Sequence, residues 1–371
     1  PSRTEFCKHI MSAATIAKVR PEASEEQAHR TADRAPSADP PFTLQQLKAS
    51  IPAECFQPIV WKSLLFFGVD VAIIAGLYST AALVDSWFFW PVFWLMQGTM
   101  FWALFVVGHD CGHGSFSHNR RLNSLIGHLS HSPLLVPYHG WRISHRIHHQ
   151  TTGHVEDEET WYPLTESEYR NRPLHIRMMR FTPIMLWLFP FYLLRRSPRK
   201  HGSHFLPSSD LFRPSEKWDV IVSSIWWLAC AALLGWFTYE QGFMALLKYY
   251  LGPYIVFIAW LDLVTFLHHN EASLPWYRGE KWSFMKGAIS SIDRDYGFIN
   301  DIHHNIGTHV VHHLFIAIPH YHLKQATQAI RPVLGDYYNY SETGILKSFV
   351  RSLKACQYVR DTGDVVYYHR D

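Results

Sequence analysis

Twenty-five of the 371 residues are histidine, and eight of these fall into three short groups. His109-Asp110-Cys111-Gly112-His113 separates two imidazoles by four residues. On a helix they share one face, a turn apart, so both can reach one metal ion. His145-Arg146-Ile147-His148-His149 and His309-Val310-Val311-His312-His313 share an H-x-x-H-H spacing. His145 then pairs with His148 at i+3 and with His149 at i+4, and three rings from one helix can address one or two metals. A single histidine more often packs in a core or sits at a surface. Two H-x-x-H-H groups and one H-x-x-x-H in one chain point to a metal centre.

The groups need elements that bring them together. Four apolar stretches have about the 20 residues that cross a bilayer. Residues 64–84 carry one charge, Asp70, and residues 87–107 carry none. Residues 220–237 carry none, and residues 243–267 hold Lys248 near the start and Asp262 near the end. The links at 85–86 and 238–242 are tight, so the spans read as two helical hairpins. A shorter apolar run at 181–194 contains two prolines and reads as an interfacial or buried helix rather than a span. The first histidine group follows the second span, and the chain crosses the membrane twice between His149 and His309. All three groups therefore share one membrane face. Arg120, Arg121, Arg142, Arg146, Arg195, Arg196, Arg199 and Lys200 fall on that face, which the positive-inside rule places in the cytosol or an equivalent compartment.

Composition agrees. Aromatic residues make up 15% of the chain and charged residues only 18%, against roughly a quarter charged in soluble domains. A net charge of +3 without a basic stripe argues against nucleic-acid binding and suits an anionic membrane surface. The five cysteines are scattered with no C-x-x-C, so no disulfide framework or zinc knuckle is implied, which fits a reducing compartment. Residues 1–41 are polar and poor in large apolar side chains, and read as a disordered tail. A second reading is the remnant of an organelle transit peptide, which Glu22, Glu25, Glu26, Asp33 and Asp39 weaken because such peptides are poor in acidic residues.

Eight clustered histidines are too many for one catalytic zinc, which takes three protein ligands and an open position. There is no H-E-x-x-H, and the paired Glu-x-x-His motifs of ferritin-like di-iron sites are missing; Glu26–His29 alone has that spacing. A histidine-rich site with open positions at two irons is the better reading, although imidazole also suits zinc, copper and nickel. His268 and His269 close the fourth span on the metal side, and one of them can complete the coordination. Asp262 lies just upstream, where an ionisable residue is a functional candidate. It is expected either to orient a ligand histidine or to sit as a boundary carboxylate.

At these residues the chain resembles the membrane fatty acid desaturases, and among them the plant and algal omega-3 acyl-lipid desaturases. The resemblance runs from about Pro40 to about Tyr368. It is carried by QGTMFWALFVVGHDCGHGSFS (97–117), LVPYHGWRISHRIHHQ (135–150), GHVEDEETW (153–161), WLDLVTFLHH (260–269), LPWYRGEKWS (274–283), DRDYGFIND (293–301) and IGTHVVHHLFIAIPHYH (306–322). It implies an all-α integral membrane protein: four transmembrane helices in two hairpins, and a helical histidine-rich cap holding a di-iron site. The desaturase domain would cover 42–368, with 369–371 as a C-terminal end. Carried over by position, the ligands are His109, His113, His145, His148, His149, His269, His309, His312 and His313. His269 matches the family's extra ligand at the end of the last span better than His268 does. His304, His320 and His322 lie nearby; His304, with Asp262, is expected to support a ligand from behind. Two departures beside the motifs, Asn270-Glu271-Ala272 and Thr151-Thr152, bear on fine specificity rather than on the chemistry.

The resemblance implies a cis double bond introduced with O2 into linoleoyl chains of glycerolipids, giving linolenoyl chains. Breaking an unactivated C–H bond is beyond any side chain and calls for an oxygen-activating metal. The chain has no His-Pro-Gly-Gly haem signature, so electrons are expected from a separate cytochrome b5 at the endoplasmic reticulum or a ferredoxin in a plastid, docked on the basic cap. The rival readings are an omega-6 (delta-12) desaturase or a fatty acyl hydroxylase with the same site. A metal transporter fits less well, because its ligands would sit inside the spans rather than after them.

Overall fold

The computed structural model describes residues 35–371 apart from Ser197 and Pro198. Most of the expected tail at 1–41 therefore lies outside the described residues.

Among the described residues, four helices are long and apolar enough to cross a membrane. We label the main helices α1 (Val60–Val84), α2 (Trp90–His113), α3 (Arg120–His131), α4 (Tyr138–Thr151), α5 (Lys217–Gln241) and α6 (Phe243–His269, interrupted by a π turn at Leu247–Leu251). Three more follow in the cap: α7 (His309–Leu314), α8 (His320–Leu334) and α9 (Ile345–Ala355). The spans are α1, α2, α5 and α6, paired as the expected hairpins. Each is longer than the apolar run that announced it. The gain matters most in α2, which continues past residue 107 through both histidines of the first group. It stops only at Gly114, whose φ of 77° is the left-handed conformation that ends many helices.

The two hairpins meet through α2 and α6. A Cβ placed on Gly98 would lie 2.5 Å from Pro253 O and from Val256 Cβ, so only glycine lets the backbones approach this closely. Trp260 Nε1–H donates to Thr99 Oγ1 across the same seam at 3.0 Å. On the cap side, Trp102, Phe105 and Val106 of α2 pack with Phe257, Ile258 and Leu261 of α6, Trp141 of α4, Phe189 and Leu193. This aromatic layer lies between the two inner spans just below their histidine-bearing ends.

The cap has its own core. Leu47 and Ile51 pack with Val310, Val311 and Leu314 of α7 and with Leu323 and Ile330 of α8. Three two-residue strand pairs staple the C-terminal segment down: Trp276–Tyr277 with Val365–Val366, antiparallel; Asp293–Arg294 with Tyr340–Ser341, parallel; and Tyr358–Val359 with Tyr368–His369, antiparallel. The last pair takes in His369, and Asp371 N–H donates to Gln357 Oε1, so the final residues belong to the cap. At the other end, contacts begin before residue 42. Ala35 N–H donates to Ser273 O at 2.9 Å, and Lys286 pairs with Asp39.

Two expectations change. The apolar run 181–194 is not one helix. A 3-10 turn, Pro183–Leu186, is followed after a break by a separate helix, Phe189–Leu194. The basic cap is also less available for docking than its sequence implies. Arg142 pairs with Asp219, Arg146 with Glu216, Arg199 with Glu168, and Arg196 and Lys200 both with Glu159. These pairs fasten α4 to α5 and fold the 195–200 segment onto the cap. Arg120, Arg121 and Arg195 are exposed.

Candidate metal centre

Four helices deliver nine imidazoles to one place. His109 and His113 occupy the last turns of α2; His145, His148 and His149 lie on α4; His269 closes α6; His309, His312 and His313 lie on α7. Seven are buried, and His113 and His145 are half-buried. One set of donor atoms comes from His109, His113, His145, His149 and His312, and a second from His148, His269 and His313. His309 joins the second set, with Nε2 2.9 Å from His269 Nε2 and 3.0 Å from His313 Nε2.

In the first set the Nε2 atoms form a chain: His113 to His109 at 3.2 Å, His109 to His312 at 3.1 Å, His312 to His149 at 3.1 Å, and His149 to His145 at 3.1 Å. A neutral imidazole nitrogen has either one N–H or one lone pair. Each can therefore serve one bond, and at most two of these four contacts can be hydrogen bonds. The second set, with His148 Nε2 3.2 Å from His269 Nε2, meets the same limit. The remaining close approaches have no hydrogen bond to account for them, and a cation bound by the lone pairs of neutral rings does account for them. Imidazole nitrogens about 2.1 Å from one ion lie roughly 3 Å apart when adjacent, which is the spacing seen. Burial pushes His145, His149, His309, His312 and His313 well below the usual imidazole pKa, so their lone pairs stay available to a metal. The donor set thus fits two metal ions.

The rings are held from behind. His148 Nδ1 bonds Glu158 Oε1, which also accepts from Thr160 N–H. Thr152 Oγ1 lies 3.3 Å from His313 Nδ1. His109 Nδ1 is 3.4 Å from Asp110 Oδ1, while Asp110 Oδ2 accepts from the His320 backbone and from His320 Nδ1. Trp141 stacks on His145 with ring centroids 4.6 Å apart. Asp293 Oδ1 accepts from Val310 N–H at 2.7 Å and so holds the start of α7. Such partners fix the ring orientation and tautomer of a ligand histidine.

Several sequence-predicted residues sit elsewhere. His268 stacks on His309 with ring centroids 4.4 Å apart, but both its nitrogens are engaged elsewhere: Nδ1 meets Ile292 O and Nε2 meets Tyr296 OH. Asp262 does not orient a ligand histidine, since its Oδ2 accepts from Leu188 N–H and Phe189 N–H. His304 does not support a ligand either; its Nε2 pairs with Asp70 Oδ2 of α1 at 2.7 Å, which ties the cap to the first span. His320 acts through Asp110, and His322 packs on Tyr321. The carboxylates that do reach the rings, Asp110 and Glu158, escaped the sequence reading. Their signals were present: Asp110 adjoins His109, and Glu158 lies in the run that follows the second histidine group.

Known proteins are similar to this chain in sequence. The profile described as "Fatty acid desaturase" covers residues 85–344, and one described only as a domain of unknown function covers 8–79. The chain is 62% identical to the "sn-1 acyl-lipid omega-3 desaturase (ferredoxin)" of Nostoc sp. over 88% of its own length and 91% of the relative's. It is 54% identical to the "temperature-sensitive sn-2 acyl-lipid omega-3 desaturase (ferredoxin), chloroplastic" of Arabidopsis thaliana, over 91% and 79%. It is 53% identical to the "omega-3 fatty acid desaturase, chloroplastic" of Glycine max, over 91% and 76%. With the profile covering more than half of the chain and the histidine cluster in place, the protein belongs to the fatty acid desaturase family.

Proposed function

We propose that the protein is an oxygen-dependent omega-3 desaturase of membrane acyl lipids, turning linoleoyl into linolenoyl chains. The observation that carries this is the pair of imidazole sets on the membrane-facing side of the cap, supported by relatives whose names specify omega-3 desaturation of acyl lipids. Their names also specify ferredoxin, and the plant relatives are named chloroplastic. We therefore assign ferredoxin rather than cytochrome b5 as the donor, and a plastid membrane with the cap on the stromal side.

His109, His113, His145, His149 and His312 would hold one iron, and His148, His269, His309 and His313 the other. Bound iron supplies O2 activation and the oxidising power for C–H cleavage. The protein's own residues do the rest. Glu158 keeps the Nδ1 proton of His148 in place, so Nε2 is left to bind. Asp110, braced by His320, sets a carboxylate 3.4 Å from His109 Nδ1. The layer of Trp102, Phe105, Phe257 and Phe189 keeps water out and offers an apolar wall to an acyl chain arriving from the bilayer. Exposed Arg120, Arg121 and Arg195 give an acidic donor a landing surface.

The test is gas chromatography–mass spectrometry of lipids from linoleate-fed cells expressing the chain with a plant-type ferredoxin and its reductase. The expected product is 18:3 with the new double bond at the omega-3 position, lost in His148→Ala. New 18:2 from oleate would move the assignment to the omega-6 enzymes, and a hydroxy acid to the hydroxylases. Equal product with ferredoxin left out and only cytochrome b5 present would overturn the donor.

A further inference from the structure

Between α4 and α5 the chain leaves the level of the metal centre and comes back to it. The returning end is fixed at the cap: Tyr192 OH lies 2.6 Å from Ser144 Oγ of α4, and Arg196 forms a two-pronged pair with Glu159. The far end is fixed on α6. Trp187 Nε1–H donates to Ile255 O at 3.0 Å. Ile255 precedes His269 by fourteen residues (269 − 255) of α-helix, about 21 Å at 1.5 Å per residue. The whole of α6 has 27 residues, about 40 Å, so Ile255 lies near its middle. Ile255 is itself on the exposed flank of the span. The Trp187 indole thus reaches the level of the middle of α6 from the cap side, while the backbone beside it is held at the level of Asp262.

Backbone that enters hydrocarbon must have its polar groups satisfied. The weak point here is the break between the Pro183–Leu186 turn and the helix Phe189–Leu194, where the first N–H groups of a helix have no internal partner. Asp262 answers it. Its Oδ2 accepts from Leu188 N–H at 2.8 Å and from Phe189 N–H at 3.2 Å. Asp262 is seven residues from His269 (269 − 262), about 10 Å into the span from the metal side. Phe189 and Leu193 turn inward onto the aromatic layer, while Phe181, Ile184, Leu188 and Phe191 are exposed. Ile255 of α6, whose carbonyl receives the Trp187 bond, is exposed beside this face.

We propose that residues 181–194 form a re-entrant element that dips into the membrane from the cap side beside α6, with lipid acyl tails covering its outer face and Asp262 as its anchor. The inference depends on membrane insertion and on this geometry, and not on the omega-3 assignment. It accounts for an ionisable residue inside a span that does nothing for the histidines.

A depth measurement in lipid vesicles tests it. Ile184→Cys is made in a Cys7→Ser, Cys230→Ser background, labelled with a small fluorophore in detergent and reconstituted. Leu228→Cys in α5 serves as the lipid-facing control and Arg121→Cys as the aqueous one. The Ile184 label should be quenched by lipids brominated deep in the chain as strongly as the Leu228 label, and should be shielded from iodide at least fivefold relative to the Arg121 label. Iodide quenching equal to that at Arg121, or quenching only by headgroup-labelled lipid, would overturn the re-entrant placement. Adding Asp262→Leu should raise iodide quenching at the Ile184 label at least twofold, whereas Asp262→Asn, which keeps an acceptor oxygen, should not. Folded Asp262→Leu protein with an unchanged depth profile would remove the anchor role. If that variant does not fold, the profile with Asp262 intact still decides the placement.

Discussion

The two helices of each hairpin are alike in hydropathy and unlike in surroundings. In the most apolar window of α1 and of α5 only 11% of residues are buried within the protein; in α2 the share is 67% and in α6 56%. The outer pair meets lipid. The inner pair meets its own kind, close enough that Gly98 admits no Cβ, and carries His109, His113 and His269 on its cap-side ends. Membrane helices gain little by hiding apolar side chains from equally apolar lipid, so tight packing of small residues decides which helices form the centre. The lesson is that hydropathy finds spans, whereas position relative to neighbours gives them function. The metal centre depends on the inner pair being held rigidly, and the outer pair is free to vary.

That comparison can be broken at several points. The largest effect belongs to the inner ends. His109→Ala or His269→Ala should lower product below about 1% of normal and lower bound iron, measured by gas chromatography and by metal analysis of the purified protein. Substitution at Leu228, on the outer α5, should leave both unchanged. Next come the residues behind the rings. Glu158→Gln should weaken iron retention by roughly 10- to 100-fold, read by chelator competition, with helical circular dichroism unchanged.

A smaller effect concerns pH. Burial holds the five cap imidazoles His145, His149, His309, His312 and His313 well below the ordinary value. Below about pH 6.5 an unfolded chain takes up protons on these groups while the folded chain does not. The unfolded state then binds more protons, so stability rises with pH in this range and falls as the pH is lowered. Metal-free protein should therefore lose thermal stability progressively below about pH 6.5, and a flat Tm down to pH 5 would contradict the buried, neutral state.

The packing contrast itself can be measured with two glycines. Gly98→Ala should cost about 1–3 kcal/mol, because Pro253 and Val256 must move to admit the methyl. Gly76→Ala on α1, where nothing lies within 4 Å of the added Cβ, should be neutral or stabilise by up to about 1 kcal/mol through helix propensity. Thermal unfolding in detergent checks both, and equal effects at the two sites would erase the distinction between inner and outer helices.

Much of this was legible before any coordinates. The four spans, their pairing and the shared membrane face follow from apolar length and an even number of crossings. The i, i+4 spacing of His109 and His113 and the H-x-x-H-H runs required only that each segment be helical, and α2, α4 and α7 are. The rest depended on partners far away in sequence. Asp262 stands out in the sequence as an ionisable residue in a span, but its partners, Leu188 and Phe189, lie more than seventy residues upstream, and no local pattern names them. Asp70 and His304 are 234 residues apart, so the sequence points His304 toward the ligand histidines and gives no sign of its pairing with Asp70. The basic cap residues were counted as surface charge because their acidic partners Glu159, Glu168, Glu216 and Asp219 are set by tertiary contact. The break in 181–194 was signalled by its two prolines, but its depth could not be read without α6 beside it.

The most direct test of the account is the iron content of the purified protein, determined together with zinc and copper after growth in iron-replete medium. The account predicts two irons per chain, with His312→Ala, from the five-imidazole set, and His313→Ala, from the other set, each losing iron while retaining the helical fold. One metal per chain, or zinc in place of iron with full desaturation, would contradict the claim that two imidazole sets hold a pair of irons.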